Sequence, residues 1–187
     1  RLPDGRFFVL AAMLLAFTML TRWPPLIEQW RPLIEREAAR QRLDPALVAA
    51  VMFWESGGDP TAARYEKHVD AWSLGLMQVM TFDWRPAPEL LMQPAFNVQY
   101  GVSVLAQSIS VADGNVRLGL AAYNCGFAGV ERNACGRWGG YVYADKVIEQ
   151  CIEFGGCVLN NVEGRDEGTV LECEALTATS FSGLRFC

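Results

Sequence analysis

The chain carries a single histidine, His68, in 187 residues. One imidazole excludes every zinc site that needs two or three of them, and Ser-His-Asp or Cys-His catalysis would have to run through His68 alone. Long runs of one charge are also missing. Sixteen Lys+Arg stand against 21 Asp+Glu, a formal net charge of −5, so nothing in the chain is suited to track a phosphate backbone and nucleic acid is excluded as a partner. No Cys-x-x-Cys pair occurs, although there are six cysteines: Cys125, Cys135, Cys151, Cys157, Cys173 and Cys187. All lie in the last third, and their even number reads as disulfides rather than as a zinc or redox site, with the pairing left open. No metal or cofactor is expected. Carboxylates must carry any acid-base chemistry.

What is present is apolar material: 51% hydrophobic residues and 20% charged, a globular composition far from that of a disordered chain. At about 100–200 residues per domain, one domain with appendages fits and two enzymatic domains do not. At the amino end Arg1 and Arg6 flank the apolar stretch Phe7 to Leu20. It is shorter than the roughly 20 residues of a spanning helix and has the make-up of a secretory signal. No Ala-x-Ala site follows, and Thr21-Arg22-Trp23-Pro24-Pro25 is a poor cleavage context. An uncleaved signal anchor with Trp23 at the membrane interface therefore stands beside the cleaved signal, and a helix of the folded domain is the third reading. The expected organisation is an export or anchoring segment over 1–22, a mainly α-helical domain over 23–154 and a cysteine-bearing, disulfide-stapled extension over 155–187. The expected location is periplasmic or extracellular, and the expected state is a monomer.

Helical periodicity dominates the middle of the chain. Leu26, Ile27, Trp30, Leu33 and Ile34 share one side of a run from Leu26 to Leu43, which predicts a helix there. Asp44-Pro45 restarts the chain with an N-cap and a first-turn proline. Leu47, Val48, Val51, Met52 and Glu55 then recur at spacings of three and four, which places Glu55 on the buried stripe. Ser56-Gly57-Gly58-Asp59-Pro60 ends that helix, and the polar stretch to Asp70 predicts a loop. Pro94 opens a helix with Val98, Val102, Leu105 and Ile109 in its core stripe, and Asp113-Gly114-Asn115 breaks it. Asn115 caps the next, which carries Leu118, Leu120 and Tyr123 and leads into a Gly-rich, Cys-bearing loop. The final helix is predicted over 140–154, with Tyr143, Val147, Ile148, Cys151 and Ile152 on one face. Thr169 to Cys173 reads as a strand.

A carboxylate on the apolar face of a helix is costly to ionise, so burial should raise its pKa and suit it to donate a proton near neutral pH. Glu55 has that setting, and four segments occur with it in order: Trp54-Glu55-Ser56-Gly57-Gly58-Asp59-Pro60, Ser73-Leu74-Gly75-Leu76-Met77-Gln78-Val79, Leu120-Ala121-Ala122-Tyr123-Asn124-Cys125-Gly126 and Tyr143-Ala144-Asp145-Lys146-Val147. Over about residues 35 to 154 the chain resembles the soluble lytic transglycosylases, lysozyme-like enzymes that cleave bacterial peptidoglycan. The resemblance implies a lysozyme-like fold, peptidoglycan glycan strands as substrate, and the role of single catalytic acid and base for Glu55. It implies that Ser56, as neighbour of that acid, belongs to the site, that Met77 and Gln78 contact the sugar and that Ser73 orients an N-acetyl group. It makes Tyr123 the hydrogen-bond partner of Glu55 and Asn124 a cleft or structural residue. Tyr143 matches a tyrosine of the family's last helix, a place that Tyr141 could also take. Met77 reads equally well as ordinary core, and Gly75 and Gly126 as backbone geometry. Two departures stand out: Val79-Met80-Thr81-Phe82 lacks the proline usual after the Met-Gln block, and Cys125 replaces a usual alanine. A bridge among Cys125, Cys135 and Cys151 would fasten the Gly-rich loop near the cleft.

Two-carboxylate glycosidases need a second Asp or Glu. Asp59, Glu66, Asp70 and Asp83 are close to Glu55 in sequence, but each falls in a polar stretch that reads as a solvated loop. A lone Glu55 fits the transglycosylase outcome that the resemblance implies, a 1,6-anhydromuramoyl product. It fits equally a goose-type muramidase that lets water attack, and a wall-binding module without turnover is the third alternative.

Overall fold

A computed structural model describes residues 23–157. The expected export segment over 1–22 and the strand at Thr169–Cys173 lie outside the described residues. Eight helices and three short strands are described: α1 (Pro25–Glu28), α2 (Arg31–Gln41), α3 (Pro45–Ser56), β1 (Ala63–Glu66), β2 (Ala71–Leu74), β3 (Val79–Met80), α4 (Pro88–Leu91), α5 (Pro94–Val111), α6 (Val116–Cys125), α7 (Phe127–Glu131) and α8 (Gly140–Glu153). No helix among the described residues is long and apolar enough to cross a membrane.

The single helix predicted over Leu26 to Leu43 is two, α1 and α2. Pro32 has no N–H to give to the carbonyl of Glu28 and its ring crowds that carbonyl, so the chain restarts at Arg31. α3 begins as predicted: the Asp44 carboxylate accepts from Ala46 N at 2.8 Å and Pro45 follows. Every residue from Ala46 to Met52 is buried. A helix that is apolar all round belongs at the centre of a domain, and α3 has that place, between α2 and α8. α8 also packs on α6, and α6 on α5, so the core closes around α3 with Ile27, Ile34, Leu76, Val98, Leu105, Leu120 and Val147 inaccessible to water. Each buried aliphatic side chain of this size contributes roughly 1.5–3 kcal/mol. On α8, Ala144, Val147 and Cys151 are buried, as is Phe154 just past its end, while Ile152, assigned to the inner face, is exposed.

The loop predicted between Asp59 and Asp70 contains a strand. β1, β2 and β3 form an antiparallel sheet in that order, with Arg64 opposite Ser73, Tyr65 opposite Trp72, Glu66 opposite Ala71 and Ser73 opposite Met80. Side chains alternate between faces, so Arg64, Glu66 and Ser73 share one face and Tyr65 and Trp72 the other.

Two disulfides are described. Cys125–Cys135 closes the segment after α6, which includes the short helix α7, and Cys151–Cys157 ties the end of α8 to the residues after it. Cys157 N also donates to Asp44 Oδ2 at 2.6 Å, so the start of the proposed extension, 155–157, lies against the N-terminus of α3.

Candidate active site

Glu55 is the penultimate residue of α3. The helix stops at Gly57, whose left-handed φ of 63° terminates it. Between the two, the hydroxyl of Ser56 donates to Leu76 O at 2.8 Å, which pins the β2–β3 turn to the end of the helix. Ser56 thus sits beside Glu55 and holds the backbone. α8 runs antiparallel to α3, Tyr143 meeting Glu55 at one end and Cys157 meeting Asp44 at the other.

The Tyr143 hydroxyl donates to Glu55 Oε1 at 2.6 Å. The expected partner, Tyr123, instead donates to Met77 O at 2.7 Å. Both tyrosines are partly buried, and burial of the phenol groups together with the Glu55 charge raises their pKa values well above the usual 10. They remain neutral donors throughout the physiological range. Burial pushes the Glu55 carboxyl from 4.5 to about 7; the Tyr143 bond and the Arg64 charge pull it down, and the Glu66 charge pushes it up. Glu55 therefore exchanges its proton near neutrality, where general acid and general base work are both accessible to one group.

The segment from Gly75 to Gln78 is a compact turn beside this carboxyl. Gly75 has φ 71°, and a Cβ there would lie 2.6 Å from Asn97 Nδ2, so no other residue fits. Met77 is inaccessible to water, which gives its side chain to the core rather than to a sugar in the unliganded protein. It packs where α5 offers Gly101: a Cβ at that glycine would be 2.4 Å from Met77 Cβ. Gln78 takes a left-handed φ of 45°, and its Nε2 donates to Ala62 O at 3.1 Å and Gly75 O at 3.0 Å. Its Oε1 has no protein partner among the described residues. Ser73 is buried and its hydroxyl donates to Glu66 Oε1 at 3.4 Å, so it does not present an open group to an N-acetyl oxygen. Asn124 is exposed near the end of α6.

Two residues that the sequence reading passed over organise this region. Asn97, fully buried on α5, accepts from Met77 N at 2.7 Å and donates to Leu74 O at 2.8 Å and Leu91 O at 2.7 Å. An amide directly before the apolar Val98 was the available signal. Glu66 is not a solvated loop residue but part of β1, with its side chain 14% exposed, Arg64 Nε 2.6 Å from Oε1 and His68 Nδ1 3.9 Å from Oε2. Asp59, Asp70 and Asp83 are exposed, as expected of loop carboxylates. Among the described residues the grouping with metal-ligand geometry is Asp44, Cys151 and Cys157; its two sulfurs are bonded to each other and offer no thiolate.

A helical domain whose central helix ends in a desolvated glutamate, flanked by a small antiparallel sheet, has the architecture of the lysozyme-like proteins. The family described as "Transglycosylase SLT domain" matches residues 32–143, a stretch that includes α3, the sheet and Tyr143. The chain belongs to that family. A solved structure of similar fold is the lytic transglycosylase Slt from Pseudomonas aeruginosa, an inactive glutamate-to-glutamine mutant, at TM-score 0.56 and 23% identity, over 67% of this chain and 24% of that one. The chain thus spans about a quarter of the length of that larger protein.

Proposed function

We propose that this chain is a peptidoglycan lytic transglycosylase that cleaves the β-1,4 bond between N-acetylmuramic acid and N-acetylglucosamine, with Glu55 as acid and then base. The observation that carries the reading is the Glu55 carboxyl, desolvated at the end of α3, held by Tyr143 and poised at about 7. Membership of the family supports it, as does the fold shared with a lytic transglycosylase that a single glutamate-to-glutamine change renders inactive.

In the first step protonated Glu55 gives its proton to the glycosidic oxygen and the C1–O bond breaks. The substrate's own N-acetyl oxygen stabilises the cationic C1. The Glu55 carboxylate then removes the proton of the muramoyl C6 hydroxyl as that oxygen bonds to C1. Glu55 ends protonated, as it began, and the product is a 1,6-anhydro sugar with no water consumed. Gln78 Oε1 and Asn124 offer the glycan polar contacts, while Ser56, Ser73, Met77 and Tyr123 shape the walls behind them. Peptidoglycan lies outside the cytoplasmic membrane, which puts the working location there, in keeping with the disulfides. The segment over 1–22 would serve export or anchoring, and the enzyme would act as a monomer.

A hydrolytic reading has one observation in its favour, the shielded Glu66 beside the site, since a second carboxylate can activate water. The deciding measurement is mass analysis of the products released from purified sacculi. Anhydro ends support the transglycosylase, reducing ends one water heavier assign a muramidase, and absence of any release by the wild-type protein leaves a wall-binding module. Glu55→Gln should abolish release while the protein still folds; retained activity would sink the assignment.

A further inference from the structure

Arg64 combines three features rarely found in one surface side chain. Its side chain is 68% exposed, yet its Nε is fixed at 2.6 Å on Glu66 Oε1. Glu66 itself is shielded and tethered by Ser73 from the facing strand. A flexible side chain has thus been given one orientation, and among the described residues both terminal amino groups of that guanidinium are without a protein partner. An oriented guanidinium with its Nη1–Nη2 edge open is the group that binds a carboxylate in bidentate fashion.

Its position relative to Glu55 follows from the backbone. Ala62, two residues before Arg64, accepts from Gly75 N at 2.7 Å and from Gln78 Nε2 at 3.1 Å. In the same turn Leu76 O accepts from Ser56, the residue after Glu55. The strand bearing Arg64 is therefore laid against the end of α3. Arg64 and Glu66 project together from one face of it, opposite to Tyr65 and Trp72, and both act through space on the Glu55 carboxyl.

We propose that Arg64, held by Glu66, binds a carboxylate of the peptide stem carried by the muramoyl sugar, so that the substrate of this chain is a peptide-bearing glycan strand rather than a bare one. The proposal rests on the glycan-cleaving reading above. In intact strands the lactyl carboxyl of the muramoyl sugar is tied up in the amide to the stem and the glycan is largely uncharged, whereas the stem beyond that amide supplies free carboxylates. Glu66 is a positioning residue, acting through Arg64.

The binding has a consequence for Glu55. The charged or titratable groups that face it are Tyr143 from α8, Tyr123 from α6, and Arg64 and Glu66 from β1; His68 stands behind Glu66. Of these, only Arg64 draws the proton off Glu55 by its charge. A carboxylate seated on Arg64 cancels that pull, and Glu55 keeps its proton to higher pH when the correct substrate is bound.

The test compares two preparations of the same glycan strands, one with peptide stems and one stripped by an amidase and then converted at its newly exposed lactyl carboxylates to neutral methyl amides, cleaved by the wild-type chain, by Arg64→Gln and by Arg64→Lys. The wild type should favour peptide-bearing strands by about tenfold in kcat/KM, the scale of one exposed charge-assisted pair. Arg64→Gln should erase that preference and raise the alkaline limb on both preparations, and Arg64→Lys, lacking the planar fork, should restore the preference only in part. The alkaline limb of the wild-type kcat/KM profile should lie higher on peptide-bearing strands, a difference that Arg64→Gln removes. Amidating the stem carboxylates chemically should reproduce the variant's behaviour with the protein untouched. Equal loss on both substrates, or a wild type indifferent to the stems, overturns the assignment of Arg64. Failure of the wild type to cut either preparation instead overturns the glycan-cleaving reading beneath it.

Discussion

Replacing Glu55 by glutamine should make the domain more stable, and only at high pH. Burial moves the carboxyl from 4.5 to about 7, and each pKa unit is worth roughly 1.4 kcal/mol. In the unfolded chain the group ionises near 4.5, so between that value and 7 the native protein holds a proton that the unfolded chain has released. Native stability therefore falls as pH rises through this window and levels off above it, the total loss being about 3 kcal/mol. Glutamine has the same shape, still accepts from the Tyr143 hydroxyl and never ionises. The variant and the wild type should accordingly unfold alike near pH 4, separate progressively up to pH 7, and differ by about 3 kcal/mol from pH 8 upward, or about 10 °C in Tm for a domain of this size. Urea or thermal unfolding of both proteins over that pH range, disulfides intact, measures it. A difference that does not change with pH, or a variant less stable at pH 9, would refute the claim that Glu55 is desolvated in the fold.

Three other outcomes follow from the same geometry. Tyr143→Phe removes a bond that favours the Glu55 carboxylate, so the alkaline limb of kcat/KM should move to higher pH while the maximal rate falls about tenfold; an unmoved limb would assign the bond no electrostatic role. Asn97→Ala strands Met77 N–H and the carbonyls of Leu74 and Leu91, and should cost about 3 kcal/mol in urea unfolding. Gly101→Ala drives a methyl against Met77 Cβ and should cost about 1–3 kcal/mol, with turnover reduced because Tyr123 and the Gly75–Gln78 turn shift with Met77; wild-type stability and rate would show that the turn has slack.

The helices were legible where local chemistry decides them. Asp44-Pro45 and Asn115 announce their caps, and both side chains accept from the backbone as such residues do. The sheet was not legible, because Ala63–Glu66 alternates over only four residues, three of them exposed and none β-branched; β1 exists through its pairing with β2 across the turn at 67–70, whose residues carry none of the glycine signals of a tight hairpin. The misreading of Glu66 has the same origin, since its shelter is made by the strand opposite it. The order of motifs placed Glu55 and the two tyrosines near one another. Which hydroxyl reaches the carboxyl depends on how α8 lies on α3, and spacing along the chain does not encode that. Met77 and Ser73 look like cleft residues in a motif and like core in three dimensions for a related reason: a block of sequence that shapes a cleft spends several of its side chains on holding the turn.

Trp23 Nε1 donates to Phe154 O at 3.3 Å and their rings lie 6.1 Å apart, while Cys157 closes on Asp44 at the end of α3 remote from Glu55. The two ends of the described segment are thus clasped together. A domain joined in this way tolerates circular permutation. A short linker from Cys157 to Trp23, with new termini cut at the exposed Asp113–Asn115 turn, should give a closed chain that keeps the carboxyl, its tyrosine and the hairpin in place.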